Sequence, residues 1–118
     1  VVLEVRFGDV TLLLAGDVEG PGEARLELGG AQVLKVPHHG SRTSSSPPFV
    51  RRVRPRLALV SAGYKNRFGH PSPAVVERYR QAGAHVLRTS EEGALTISTD
   101  GRRVWVETYR DGRSVPLR

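Results

Sequence analysis

The sequence predicts an α/β domain: a mixed β-sheet flanked by helices. Three observations carry that expectation. Apolar runs of strand length alternate through the middle of the chain with helix starts marked by Ser46-Pro47 and Ser72-Pro73. The turn dipeptides Gly8-Asp9 and Asp100-Gly101 each separate two β-like runs, which predicts an antiparallel hairpin at either end. The 118 residues, 38% of them hydrophobic, suffice for one domain with a real core.

Taken in order, Val1–Phe7 reads as a strand that turns into a second at Val10–Ala15. The run Thr11-Leu12-Leu13-Leu14-Ala15 lacks a polar face, so it is expected to be buried on both sides. Pro21–Leu28 can form a short helix closed by Gly29-Gly30. Ala31–Val36 is a third strand, broken by Pro37 and followed by a polar loop over His38–Ser46. Ser46 can cap a helix with Pro47 at its first position, burying Phe49, Val50 and Val53.

Arg56–Ala62 is another buried strand, and residues 63–71 form a loop. Ser72 and Pro73 start a helix that stops at Gly83, with Val75, Val76, Tyr79 and Ala82 as its apolar stripe. His85–Thr89 is a strand, and Gly93–Thr99 with Arg103–Tyr109 completes a hairpin. Residues 1–109 are thus expected as structured, and 110–118 as a frayed polar tail.

Composition excludes several chemistries. The chain contains no cysteine, so disulfides and thiolate metal sites are ruled out. No apolar run approaches the ~20 residues that a bilayer crossing requires. Eighteen Lys and Arg against twelve Asp and Glu give a formal charge of +6, and sixteen of the eighteen are Arg. Guanidinium forks suit phosphate, so the balance fits a polyanion partner, although an Arg-rich, GC-biased background gives the same composition. Arg51, Arg52, Arg54 and Arg56 form the densest basic cluster, read either as a phosphate track or as a solvated helix face.

Three loops carry candidate chemistry, and each follows a predicted strand, where ligand sites of layered α/β folds gather. In Ala15-Gly16-Asp17, a carboxylate past a buried strand can bridge two cations, or merely close a turn. In Pro37-His38-His39-Gly40-Ser41, adjacent imidazoles can ligate metal or face phosphate, or stand as exposed loop residues. In Asn66-Arg67-Phe68-Gly69-His70-Pro71-Ser72, His70 can contact an anion or protonate a leaving group, or simply pack beside Pro71. His85 falls in strand-like sequence and reads as structural. No nucleophile elbow, dinucleotide fingerprint or phosphate loop accompanies the serines and glycines.

The succession LLLAGDVEG, VLKVPHHGSRTSSSP, PRLALVSAGYKNRFGHPSP and AHVLRTSEEGALTI, from Val1 to Tyr109, resembles the carboxy-terminal part of the ComEC family of competence proteins. The resemblance implies the second half of a metallo-β-lactamase-type αβ/βα sandwich. It also implies a nuclease acting on incoming DNA with two divalent ions, manganese or zinc, on the extracytoplasmic side of a bacterial plasma membrane. In those terms Asp17 bridges the metals, His39 is a terminal ligand, and His38 and His70 face phosphate or leaving group, with Ser41, Arg42 and Asn66 as substrate contacts.

The first metal motif of that superfamily, H-x-[HD]-x-D-H, does not occur in the chain. The chain is therefore expected to carry a minority of the ligands and to be inactive or incompletely metallated alone. Its implied partners are DNA, an N-terminal half of the same domain, and a membrane channel. One apolar sheet face is expected to be uncovered or self-associated. A non-catalytic DNA-binding or channel-docking module with the same fold is the competing expectation.

Overall fold

The computed structural model describes residues 1–63 and 68–117. Strands β1 (Leu3–Phe7) and β2 (Val10–Leu14) form the expected N-terminal hairpin. Helix α1 (Gly20–Arg25) precedes β3 (Val33–Lys35), and a short 3₁₀ turn spans Pro37–Gly40. Helix α2 (Pro47–Val53), strand β4 (Leu57–Val60), helix α3 (Pro73–Gln81) and strand β5 (His85–Arg88) follow. The chain ends in α4 (Thr89–Glu92), β6 (Leu95–Thr99), β7 (Val104–Thr108) and β8 (Ser114–Pro116).

Five strands make one mixed sheet in the order β1-β2-β3-β4-β5, antiparallel at the first pair and parallel thereafter. The two-residue side-chain period then sorts the residues. The row Leu13, Leu34, Ala58 and Val86 faces α2 and α3, where Phe49, Val50, Val53, Val75 and Tyr79 complete a buried layer. The neighbouring row Leu12, Val33 and Leu57 faces the opposite way, toward the antiparallel sheet β6-β7-β8. Val104 is buried there, with Ile97, Val106 and Leu117 packed around it.

This second sheet corrects the expectation of an uncovered face. The chain supplies a cover of its own, because the C-terminal hairpin folds back rather than extending the first sheet. The turn at Gly8 meets the turn at Gly101, where Asp9 N–H donates to the Gly101 carbonyl over 2.6 Å. Gly8 has φ +58°, and a Cβ there would stand 2.5 Å from the Gly101 oxygen, so the meeting requires glycine. The cover stops short of β1, whose Leu3, Val5 and Phe7 stay exposed.

Other differences have local causes. Helix α1 ends at Arg25, not Leu28, because Leu26 and Leu28 turn toward the core. The Arg52 guanidinium stands in for the lost helical turn, donating to the carbonyls of Glu23 and Leu26 at 3.0 and 2.9 Å. Ala82 caps α3 from the exposed side and does not join the stripe of Val75, Val76 and Tyr79. The segment after Tyr109, expected to fray, holds the short edge strand β8, with Val115 opposite Val106 on β7. No helix among the described residues is long and apolar enough to cross a membrane.

Candidate functional site

Parallel pairing of β2 through β5 brings their C-terminal ends to one edge of the sheet. That edge carries the turn at Gly16-Asp17, the turn Pro37–Gly40, the segment Ser61–Gly63 and Thr89. The first two are joined directly: His38 N–H donates to the Gly16 carbonyl at 2.8 Å. Thr89 joins the last two, since its hydroxyl accepts from Ala62 N–H at 3.0 Å and approaches the Ala62 carbonyl at 3.1 Å.

The histidine turn has an uncommon backbone. His38 (φ 51°, ψ 43°) and His39 (φ 55°, ψ 23°) both occupy the left-handed region, and Gly40 follows at φ +79°. Each non-glycine residue there costs about 1–2 kcal/mol, so the surroundings must hold the turn in place. They do so at several points. Ser41 N–H donates to the His38 carbonyl at 2.9 Å, and Ser44 Oγ donates to the Pro37 carbonyl at 3.0 Å. Gly40 lies against Pro71, and its carbonyl accepts from Ser72 N–H at 2.9 Å.

Beneath the loop, the fully buried Glu23 carboxylate accepts the backbone N–H groups of Ser45 and Ser46. Ser45 Oγ pairs with the Tyr79 hydroxyl at 2.7 Å, and Arg78 donates to the Ser45 carbonyl. Burial pushes the Tyr79 hydroxyl far above the ordinary tyrosine range.

The strained turn gathers three imidazoles. Ring centroids are 6.4 Å apart for His38–His39, 5.9 Å for His38–His70 and 6.4 Å for His39–His70. His39 Nδ1 lies 2.7 Å from the Ser61 carbonyl. A carbonyl can only accept, so Nδ1 carries the proton and the Nε2 lone pair is left for a ligand. His38 Nδ1 is 3.0 Å from Glu19 Oε1, without hydrogen-bond alignment. Loss of hydration, followed by repulsion from His38 and His39, holds His70 below the ordinary histidine value.

Two open cavities flank His70. One, of about 500 Å³, is lined by His39, Ser61, Gly63, Phe68, His70 and Thr89. The other, of about 390 Å³, brings Ser41, Arg42 and His70 together with Phe68 and Ser72. Arg42 is exposed, whereas Ser41 is buried with its hydroxyl 2.9 Å from that of Thr43. Asp17 is exposed beside the His38 backbone and lines neither cavity. Asn66 lies outside the described residues. His85, read as structural, is exposed at the opposite end of β5.

Among the described residues, no group of three or more His, Asp or Glu is arranged to hold a metal ion. Glu19 was not among the residues expected at the site, although an acid two residues past Asp17 is a signal that could have found it. Glu23 and Ser61 carry no sequence signal, because a buried carboxylate and a backbone carbonyl are defined only by what surrounds them.

The strain makes a test of its own. His38→Gly should raise the unfolding free energy by about 1 kcal/mol, since glycine enters the left-handed region freely. Urea denaturation reads the change, and a loss of stability would contradict the strained turn.

No protein-family model matches the chain. Curated relatives do match it. The chain is 46% identical over 99 residues to competence protein ComA of Neisseria gonorrhoeae, covering 80% of this chain and 14% of that protein. It is 36% identical over 98 residues to ComE operon protein 3 of Bacillus subtilis, covering 80% and 13%. With recombination protein 2 of Haemophilus influenzae it shares 35% identity over 112 residues, covering 92% and 14%. The chain therefore spans about one seventh of the length of these relatives. Its homologues are ComEC-family competence proteins, and the chain is homologous to one segment of them.

Proposed function

We propose that this chain serves DNA uptake as the C-terminal half of a metallo-β-lactamase-type domain that hydrolyses phosphodiester bonds. The homology to competence proteins supports the uptake role. The observation that carries the chemistry is the triangle of His38, His39 and His70 at the C-terminal edge of the parallel strands, with the His39 tautomer fixed by Ser61.

The donors suit a divalent cation such as manganese or zinc: carboxylate oxygen from Asp17, imidazole nitrogen from His39, and no thiolate. Two such ions would supply Lewis acidity and a water of lowered pKa. Their remaining ligands would come from outside the described residues, from an N-terminal half of the same domain. His38 and His70 would contact the phosphate or donate a proton to the leaving oxygen. Arg42, with Ser41 and Asn66, would orient the substrate. In this reading the domain lies on the extracytoplasmic side of a bacterial plasma membrane, beside a membrane channel.

Asp17→Ala and His39→Ala in the intact protein should each lower manganese-dependent cleavage of DNA at least about 100-fold. Unchanged turnover in Asp17→Ala would refute the assignment. The formal charge of +6, with sixteen arginines among the eighteen Lys and Arg, supports a second reading as well, a non-catalytic DNA-binding or docking module. DNA binding that survives chelator, with no cleavage by the intact protein in manganese, would establish it.

A further inference from the structure

The end of the sheet opposite the histidines carries a feature that the hydrolase reading does not use. Gly30–Gln32 lead into β3, and Arg56 leads into β4. Both stand at the N-terminal ends of the parallel strands, about 16 Å from the imidazole turn at ~3.3 Å per residue. Here Gly30, Gln32, Arg52, Arg54 and Arg56 line an open cavity of about 440 Å³, and no carboxylate is among its lining residues.

Two details set these arginines apart from a solvated helix face. The first is Arg54. It caps α2 in the left-handed conformation, at φ 44° and ψ 58°, where glycine is the usual residue. An arginine there is held at a cost, and its side chain is exposed beside the cavity. The second is Arg52. Its two terminal nitrogens are committed to the carbonyls of Leu26 and Glu23, which fixes the guanidinium, while Nε is buried with no hydrogen-bond partner among the described residues. The cavity thus sets two exposed guanidinium groups against one held in place. Small residues at Gly30 and Ala31 leave room for a ligand to approach the backbone.

We infer that this cleft binds the phosphodiester backbone of DNA, as a second contact remote from the histidine edge. Planar forks with five N–H donors match phosphate oxygens, and the absence of an acidic liner leaves their charge uncompensated. Contact through phosphates alone is independent of sequence and sensitive to salt. The choice of DNA over another polyanion rests on the uptake reading above.

The test is fluorescence anisotropy of a labelled duplex with the full chain in chelator, between 50 and 200 mM salt. The variant combines Arg54→Asn, which keeps a residue tolerant of the left-handed conformation, with Arg56→Gln. Removing two phosphate contacts should lower the slope of log affinity against log salt by about 1.8 and weaken binding about tenfold at the higher salt. The charge-retaining pair Arg54→Lys and Arg56→Lys should restore the slope. An unchanged slope in the first variant, or absence of DNA binding by the full chain, would overturn the inference. So would weakened binding to phosphatidylglycerol vesicles with DNA binding intact, which would assign the cleft to a lipid surface. Because cleavage is suppressed throughout, these outcomes are separate from those of the manganese-dependent assay.

Discussion

Glu23→Ala is expected to cost about 4 kcal/mol of folding stability. The wild-type carboxylate is fully buried and accepts two N–H groups, from Ser45 and Ser46. Alanine leaves both donors unsatisfied, at about 1–3 kcal/mol each, and opens a small void. Against a typical total of about 5–15 kcal/mol the loss is large, and it should appear as a drop of roughly 15 °C in Tm. Glu23→Gln keeps one acceptor and turns an N–H₂ toward the other donor, so its loss should be intermediate. Thermal denaturation followed by circular dichroism orders the three proteins. A Glu23→Ala protein as stable as wild type would show that the loop does not depend on the carboxylate.

Gly40→Ala is expected to cost about 3 kcal/mol and to displace His70. Two penalties combine. The residue sits at φ +79°, where a side chain is strained by about 1–2 kcal/mol. The new Cβ would also stand 2.6 Å from Pro71 Cβ and 3.0 Å from Pro71 Cα. Relief requires moving the segment that begins at His70, which would pull that ring from its partners 5.9 and 6.4 Å away. Urea denaturation reads the first effect. Changes in the imidazole NMR signals of His38 and His39 read the second, and unshifted signals would contradict the coupling.

The sequence exposed those parts of the fold that depend on local chemistry. Ser46 does cap α2, accepting from Phe49 N–H, because Ser-Pro at a helix start needs no tertiary help. The four parallel strands were legible from their apolar runs, and their parallel arrangement put the three candidate loops at one edge. The second sheet was not legible as a separate layer. A hairpin reads the same whether it extends a sheet or folds over it, and contacts distant in sequence, such as Val104 with Val33 and Leu57, decide the matter. The helix α4 was lost to a strand expected to run through Thr89, whose hydroxyl is drawn back to Ala62.

At the candidate site, the residues were legible and their conformation was not. Nothing in Pro37-His38-His39-Gly40 announces two successive left-handed histidines. That geometry follows from contacts distant in sequence: Gly16, Ser61 and Pro71. The pairing of His39 with the Ser61 carbonyl likewise depends on β3 and β4 lying side by side.

The Glu23 anchor also bears on when the loop can open. Surface loops ordinarily come loose in small local fluctuations, far more often than the whole domain unfolds. Here the amides of Ser45 and Ser46 hang from a carboxylate in α1, while Ser45 is tied to α3 through Tyr79 and Arg78. Releasing the loop therefore means parting the helical layer itself. The turn bearing His38 and His39 is therefore expected to loosen together with the helical layer rather than by itself, so that side of the cleft would keep its shape much as if a strand carried it.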